Sequence, residues 1–297
     1  MKRISTTLLF TICCALTPVS AQGTLCFNEL LYQPSSGEAE YVELYNNSAT
    51  AVDLADYHIV RWVGDSLGKH YPLPSHTVAA HDYVVLTKDA ASVTANYAVK
   101  YANKLVECAL PTYPNDGGTA VLTRKDSTVI DRFDYSPSMH SRLLRNKAGV
   151  SLERRSADRP TNAASNWFSA SSTAGYGTPG YENSQSSEWL AEETSFELSS
   201  STLSPDGDGY QDEISIDYQL DSEELMANVR VHDRCGRLVK TLLNNGLLGT
   251  HGSFGWDGRC DDGTIALQGR YLIQITLYDI HGTQQVIRKS VAIIIKK

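Results

Sequence analysis

The sequence predicts an all-β protein: two β-sandwiches in tandem, the first carrying one short helix. Three observations support that reading. Apolar residues alternate with polar ones over much of the chain, the period of a half-buried strand. The 297 residues are too many for one small sandwich and suit two modules of ordinary size. Finally, Ser204-Pro205-Asp206-Gly207-Asp208-Gly209-Tyr210-Gln211-Asp212-Glu213 lies between a polar, Ser-rich run and a strand-like one. Its Pro, Gly and Asp content is that of tight turns and of a boundary between modules.

Residues 1–21 read as a secretory signal peptide rather than as fold. Lys2 and Arg3 form a basic end, Leu8 to Leu16 a short apolar run, and Val19-Ser20-Ala21 a small-residue cleavage site, with the cut after Ala21. The apolar run is too short to span a bilayer, and its Cys13 and Cys14 sit in a poor context for a lipobox. No other stretch is long and apolar enough for a membrane span. The expectation is an exported protein of the periplasm, cell surface or extracellular space. The whole chain has 26 basic and 34 acidic side chains, a net charge of −8; without Lys2 and Arg3 the balance is −10. A strongly acidic chain is a poor general binder of nucleic acid, whose phosphates need positive faces.

The first module is expected over residues 22–183. Tyr41-Val42-Glu43-Leu44-Tyr45 alternates, placing Val42 and Leu44 on one face, and Tyr83-Val84-Val85-Leu86 reads as a more completely buried strand. Thr119 to Leu122 and Val129 to Tyr135 flank the turn Arg124-Lys125-Asp126-Ser127 as a hairpin. The helical candidate is Ala90 to Asn103, where Val93, Tyr97 and Tyr101 recur every four residues behind an Asp89 cap. Residues 184–195, polar and acidic around Trp189 and Leu190, read as a linker. The second module is expected over 196–297. In it Ile214 to Tyr218 alternates, Val229 to His232 runs into a turn at Asp233-Arg234-Cys235-Gly236, and Trp256-Asp257-Gly258 and Asp261-Asp262-Gly263 are further turns. Tyr271 to Tyr278 and Gln284 to Ile295 form a last hairpin across Asp279 to Thr283.

Several of these segments carry resemblances. Phe27-Asn28-Glu29-Leu30-Leu31-Tyr32, Glu40 to Asn47 and Val52-Asp53-Leu54 resemble the opening of a lamin-tail domain. Tyr83 to Asp89, Pro114 to Gly118, Ser151-Leu152-Glu153-Arg154-Arg155, Asn166-Trp167 and Gly177-Thr178-Pro179-Gly180 follow in order over about 160 residues. The resemblance is to the bacterial, exported branch of that family and implies an immunoglobulin-like sandwich. The second module resembles the immunoglobulin-like domain of flagellar hook-capping proteins and the carboxy-terminal domains of proteins exported by the type IX route. Leu203 to Gly209, Trp256-Asp257-Gly258 and Gly269-Arg270-Tyr271 carry that likeness. It implies either a sorting role, with Ser290 to Lys297 as last strand and basic tail, or an accessory sandwich that spaces the first module.

Candidate site residues are few. After cleavage Cys26, Cys108, Cys235 and Cys260 remain, an even number that suggests two disulfides in an oxidising compartment. Of the three connectivities, the two-module reading favours Cys26–Cys108 and Cys235–Cys260; buried free thiols are the alternative. Asp206 and Asp208 have the spacing of the first two ligands of a calcium loop, with Tyr210 through its carbonyl and Asp212 to complete a Ca2+ site. The EF-hand pattern fails at its fifth and twelfth positions, and an Asx-turn cluster is the other reading. Glu43 needs a basic partner or water, and Glu153 is expected to pair with Arg154 or Arg155 near the sandwich edge. Trp167 is expected in the core. The basic run Arg142, Arg145, Lys147, Arg154, Arg155 and Arg159 reads as a solvated or carboxylate-paired face rather than a nucleic-acid patch, and His70, His76 and His81 as a loop rather than a metal cluster. No paired-His zinc motif, nucleophile elbow or phosphate loop is present. The expectation is a non-catalytic exported adhesion, binding or scaffold protein whose partner is an envelope protein or a surface glycan. A structural subunit of an envelope assembly is the alternative, and a hydrolase with an unrecognised site ranks third.

Overall fold

The computed structural model describes residues 25–163 and 165–294. The signal-peptide reading, with Cys13 and Cys14, lies outside them, as does the end of the basic tail. The first module packs a six-stranded sheet against a four-stranded one. The larger runs β12 (Trp167–Ser169), β11 (Leu152–Arg154), β1 (Leu25–Leu31), β2 (Tyr41–Asn46), β7 (Tyr83–Thr87), β8 (Leu105–Glu107). The smaller runs β10 (Val129–Tyr135), β9 (Gly118–Arg124), β4 (Tyr57–Val63), β5 (Ser66–Pro72), and β3 (Val52–Asp53) forms a short ladder with β6 (Thr77–Val78). Phe27, Leu44, Ile59, Leu122 and Phe133 meet between the sheets. Trp167 stacks on Phe133 with ring centroids 3.6 Å apart, the core role its sequence context suggests, and donates its Nε1–H to the Thr161 carbonyl.

β1 is buried along its whole length because both faces of its sheet are covered. Its register against β2 shifts between Phe27 and Glu29, and a bulge of this kind reverses which residues face inward. Leu25, Phe27 and Leu30 therefore enter the main core. Leu31 joins Tyr41, Val85, Val93 and Tyr97 in a second cluster on the outer face. The helix α1 (Ala90–Asn96) lies over that face, its N–H at Ser92 capped by Asp89 at 2.9 Å. It ends seven residues earlier than the four-residue periodicity suggests. Tyr97 turns to extended backbone and is held by an edge-on contact with Tyr41 and a hydrogen bond to the Gly149 carbonyl, which tertiary packing favours over another helical turn.

In the second module a three-stranded sheet, β13 (Ser195–Leu198), β15 (Ile214–Gln219), β18 (His251–Trp256), faces a five-stranded one. The latter runs β14 (Thr202–Leu203), β20 (Gln284–Ile293), β19 (Gly269–Tyr278), β16 (Met226–Asp233), β17 (Leu238–Leu247). Ile216, Tyr218, Val229, Ile273 and the fully buried Trp256 fill the space between. The expected last hairpin is β19–β20, its turn tied by Asp279, which accepts the N–H groups of His281 and Thr283. Gly258 ties the Asp-rich loop to this core: its φ is +76°, and a Cβ there would stand 3.0 Å from Pro205 Cγ.

Neither expected disulfide is formed. All four cysteines are free thiols. Cys26 lies on β1, whereas Cys108 follows β8, three strands away in the same sheet. At about 4.8 Å per strand that is roughly 14 Å, twice the ~7 Å reach of a disulfide. Cys26 is instead buried, its thiol directed at the Tyr45 carbonyl. Cys235 sits exposed in the β16–β17 turn, and Cys260 packs half-buried against the second core.

Candidate binding cleft between the modules

Residues 184–195, the stretch read as a linker, are packed against both modules at their start. Ser184, Gln185 and Ser186 are buried because they form the joint. The Thr250 N–H donates to the Ser184 carbonyl at 2.9 Å and its hydroxyl to the Ser186 carbonyl at 2.8 Å. Ser172 Oγ donates to the Leu247 carbonyl, Thr173 and Tyr218 share a hydroxyl contact at 2.7 Å, and Ala191 N–H reaches the Leu220 carbonyl. Arg155 forms an ion pair with Glu223 across the same boundary. Close approach at Gly249, where a Cβ would stand 2.2 Å from the Ser184 carbonyl oxygen, makes this seam feasible only without a side chain.

Beside the seam opens a cleft of about 830 Å³, within the usual range for small-molecule sites. One wall is the outward face of the three-stranded sheet. Its register sets Ser195, Gln219 and His251 in one row and Glu197, Asp217 and Ser253 in the next, since alternate residues of a strand share a face. The opposite wall comes from the first module: Lys100, Tyr101, Thr173, Tyr181 and Glu182. Trp189 stands at the rim, 41 % exposed. Its Nε1–H donates to Glu182 Oε1 at 2.7 Å, and its ring lies 5.0 Å from that of His251, tilted 30°. The indole is thus fixed between the two modules. Lys100 Nζ sits 3.9 Å from the centre of the Tyr181 ring, a cation–π contact. Burial holds the His251 imidazole below its ordinary value.

Behind the first-module wall lies a cluster that the sequence reading missed in part. Glu29, Glu43 and Glu153 occupy three adjacent strands, with Glu29 directly opposite both others, and all three are fully buried. The expected pairing of Glu153 with Arg154 or Arg155 is therefore corrected, and of the two partners expected for Glu43, a basic group or water, no basic one is found among the described residues. Neighbouring residues of a strand point to opposite faces, so Arg154 is turned away, to the carbonyls of Phe27 and Arg159 and to Asp131. The carboxylates accept instead from neutral groups. Glu29 accepts from Tyr41 Oη at 2.6 Å, from Thr178 N–H at 3.0 Å and from Ser151 Oγ. Glu43 accepts from Asn28 Nδ2 and Gly180 N–H, and Glu153 from Thr178 Oγ1, Ser184 Oγ and Gln185 N–H. The segment 178–185 is a strap over the three carboxyls, and its Thr178 and Ser184 also line the cleft. Burial, then repulsion from Glu29, raises Glu43 well above the ordinary glutamate value and Glu153 to about 8; burial raises Glu29 also. The sequence carries one local hint, Glu29 inside the strand-like Phe27-Asn28-Glu29-Leu30, but its meeting with Glu43 and Glu153 is set by strand register.

The Asp-rich loop does bring three predicted residues together. Carboxylate oxygens of Asp206, Asp208 and Asp212 lie within 4.8 Å of one another, the one such group of metal-ligating side chains among the described residues. Asp212 also accepts the N–H groups of Gly207 and Gly209, each at 2.6 Å, while Asp206 and Asp208 accept from Asp208 N–H and Tyr210 N–H. These bonds are those of an Asx-turn cluster, each carboxylate accepting from nearby backbone N–H groups. Tyr210 presents an exposed ring. His70 meets His58 at 3.3 Å, whereas His81 lies against Tyr45, so His70, His76 and His81 do not converge. Of the basic run, Arg154, Arg155, Arg159 and Lys147 are engaged in ion pairs or with backbone carbonyls.

The Lamin Tail Domain family model matches residues 18–137, and that of the FlgD Ig-like domain matches residues 200–279. No curated protein matches the chain. Among solved structures, the chain is similar to dimeric latent PorU of Porphyromonas gingivalis at 10% identity and a TM-score of 0.29, covering 92% of this chain and 34% of that one. PorZ of the same organism, described as an essential bacterial surface component of the type-IX secretion system, matches at 13% identity and a TM-score of 0.25, covering 90% and 38%. CopC from Methylosinus trichosporium OB3b matches at 10% identity and a TM-score of 0.24, covering 35% and 97%. The chain thus spans little more than a third of the PorU and PorZ chains.

Proposed function

We propose that this chain, in which a lamin tail domain is joined to an FlgD Ig-like domain, is a non-catalytic binding protein of the bacterial cell envelope. Its recognition surface is the cleft between the modules. The observation that carries this reading is the seam: the bonds from Ser172, Thr173, Ser184 and Ser186 to the second module fix two walls that neither sandwich owns alone. Ligand sites favour such domain boundaries, and preformed walls lower the ordering cost of binding. The signal-peptide reading of residues 1–21 supports export.

The test is saturable binding of labelled protein to isolated envelopes, with Trp189→Ala and Asp217→Ala as cleft variants. Binding that weakens in both supports the reading. Unchanged binding by both variants moves recognition elsewhere on the molecule. A second reading is favoured by the resemblance of the second module to type IX sorting domains: that module directs surface delivery while the first is displayed.

A further inference from the structure

Resting on the binding reading above, we infer that the cleft takes an oligosaccharide of neutral or amino sugars, laid across the outward face of β13, β15 and β18 against Trp189. The wall chemistry points to a ligand made of hydroxyls. Its two rows, Ser195–Gln219–His251 and Glu197–Asp217–Ser253, contain no apolar side chain. They alternate groups that only accept, groups that donate and accept, and hydroxyls that do both. Sugar hydroxyls, which both donate and accept, can satisfy each kind. A protein partner would instead be expected to bury an apolar or aromatic anchor in a desolvated centre; the sheet face offers no apolar contact for one, and the aromatic rings of the cleft, Tyr101, Tyr181 and Trp189, stand on the facing wall and the rim.

The rim supplies what a polar grid lacks. A pyranose has one face of C–H bonds, which packs on an aromatic ring. Trp189 presents such a ring, and its orientation is set by Glu182 and His251. Lys100 adds donors on the facing wall, held over Tyr181. Charge then selects among sugars. Glu197 and Asp217 face Lys100 across the cleft, with Glu182 beside it on the first-module wall, and Glu197 stands directly opposite Asp217, an arrangement of like charges that is unfavourable unless a cation or donor intervenes. Lys289, 3.3 Å from Glu197, answers one of the two, and Ser215 Oγ donates to Asp217 at 3.1 Å without cancelling its charge. An acidic polysaccharide would add to the repulsion, whereas an amino sugar's ammonium would relieve it.

The experiment is a printed array of neutral, amino-sugar and uronic-acid oligosaccharides probed with the full chain, followed by titration calorimetry with the best soluble hit. Expected are hits among neutral or amino sugars and none among uronic acids. Trp189→Ala should weaken binding by about tenfold, the scale of one aromatic contact, and Gln219→Ala should weaken it also. Both side chains are exposed, so matching melting midpoints will show that the fold survives. An array silent for neutral and amino sugars, a preference for uronic acids, or hits indifferent to both variants would overturn the inference. If the array is silent but envelope binding still falls with Trp189→Ala, the cleft binds a protein and the broader reading stands. Loss of neither removes both.

Discussion

Glu153 is the residue whose behaviour is most constrained by its surroundings. It shares a buried sheet face with Glu29 and Glu43, and every partner it has is neutral. Its carboxyl titrates at about 8 in the folded protein against 4.5 when unfolded, so the native state holds the extra proton. Stability from this group is complete below pH 4.5 and is lost as pH rises through about 8. The melting midpoint should therefore fall between pH 5 and pH 8.5. Glu153→Gln, whose amide can donate to Thr178 Oγ1 while its oxygen keeps the Ser184 and Gln185 bonds, should flatten that fall by several degrees and leave the acid end unchanged. An equally steep decline in the variant would place the pH dependence on other groups. The cysteines give a second outcome at this scale. Burial pushes the Cys26 thiol up to about 12 and Cys108 to about 11. A disulfide-exchange reagent should thus modify Cys235 first and Cys26 last, and should find four thiols in unreduced, denatured protein.

At the scale of elements, the strap 178–185 and the β17–β18 connection at Gly249 carry the joint between sandwiches. Gly249→Val would drive a side chain into the Ser184 carbonyl. The expected result is a seam that parts while both cores persist: faster proteolysis within 184–195 and a second, separate melting transition. A single unchanged transition would show that the seam accommodates the side chain. The Asp-rich loop makes a different prediction. Because Asp212 holds the N–H groups of Gly207 and Gly209, Asp212→Ala should lower the melting midpoint even in a chelator. Any further gain on adding millimolar calcium to the wild type measures an ion separately. Local pattern was a good guide to such pieces. The β9–β10 and β19–β20 hairpins and the Asp89 cap could be read from sequence because turn residues and period two act over a few residues. The end of α1 could not, since Tyr97 leaves the helix for Tyr41 and Gly149, partners 56 and 52 positions away in the chain.

The whole molecule shows where sequence reading stops and why. Both modules were recognisable from short motifs, but a cleft built from Lys100, Glu182, Asp217 and His251 depends on how two sandwiches meet, which no local pattern encodes. The buried carboxyls are the same case within one module: Glu29 and Glu153 are neighbours only through the register of β1 against β11. This arrangement also decides how the sorting reading must be tested. A chain cut before Ser290 would lose the end of β20, which pairs with both β14 and β19 and carries the buried Val291 and Ile293. Retention of such a protein inside the cell would report misfolding as readily as a missing signal. A gain of function avoids this. Residues 192–297 fused behind an unrelated exported reporter, in a bacterium with the type IX route, should make the reporter accessible to protease on intact cells, while the reporter alone stays protected. A stable fusion that remains protected assigns the second module to the cleft alone. A fusion that reaches the surface gives it two tasks, delivery by the module as a whole and recognition through the outward face of β13, β15 and β18, and these should then be separable: Asp217→Ala within the fusion should leave delivery intact.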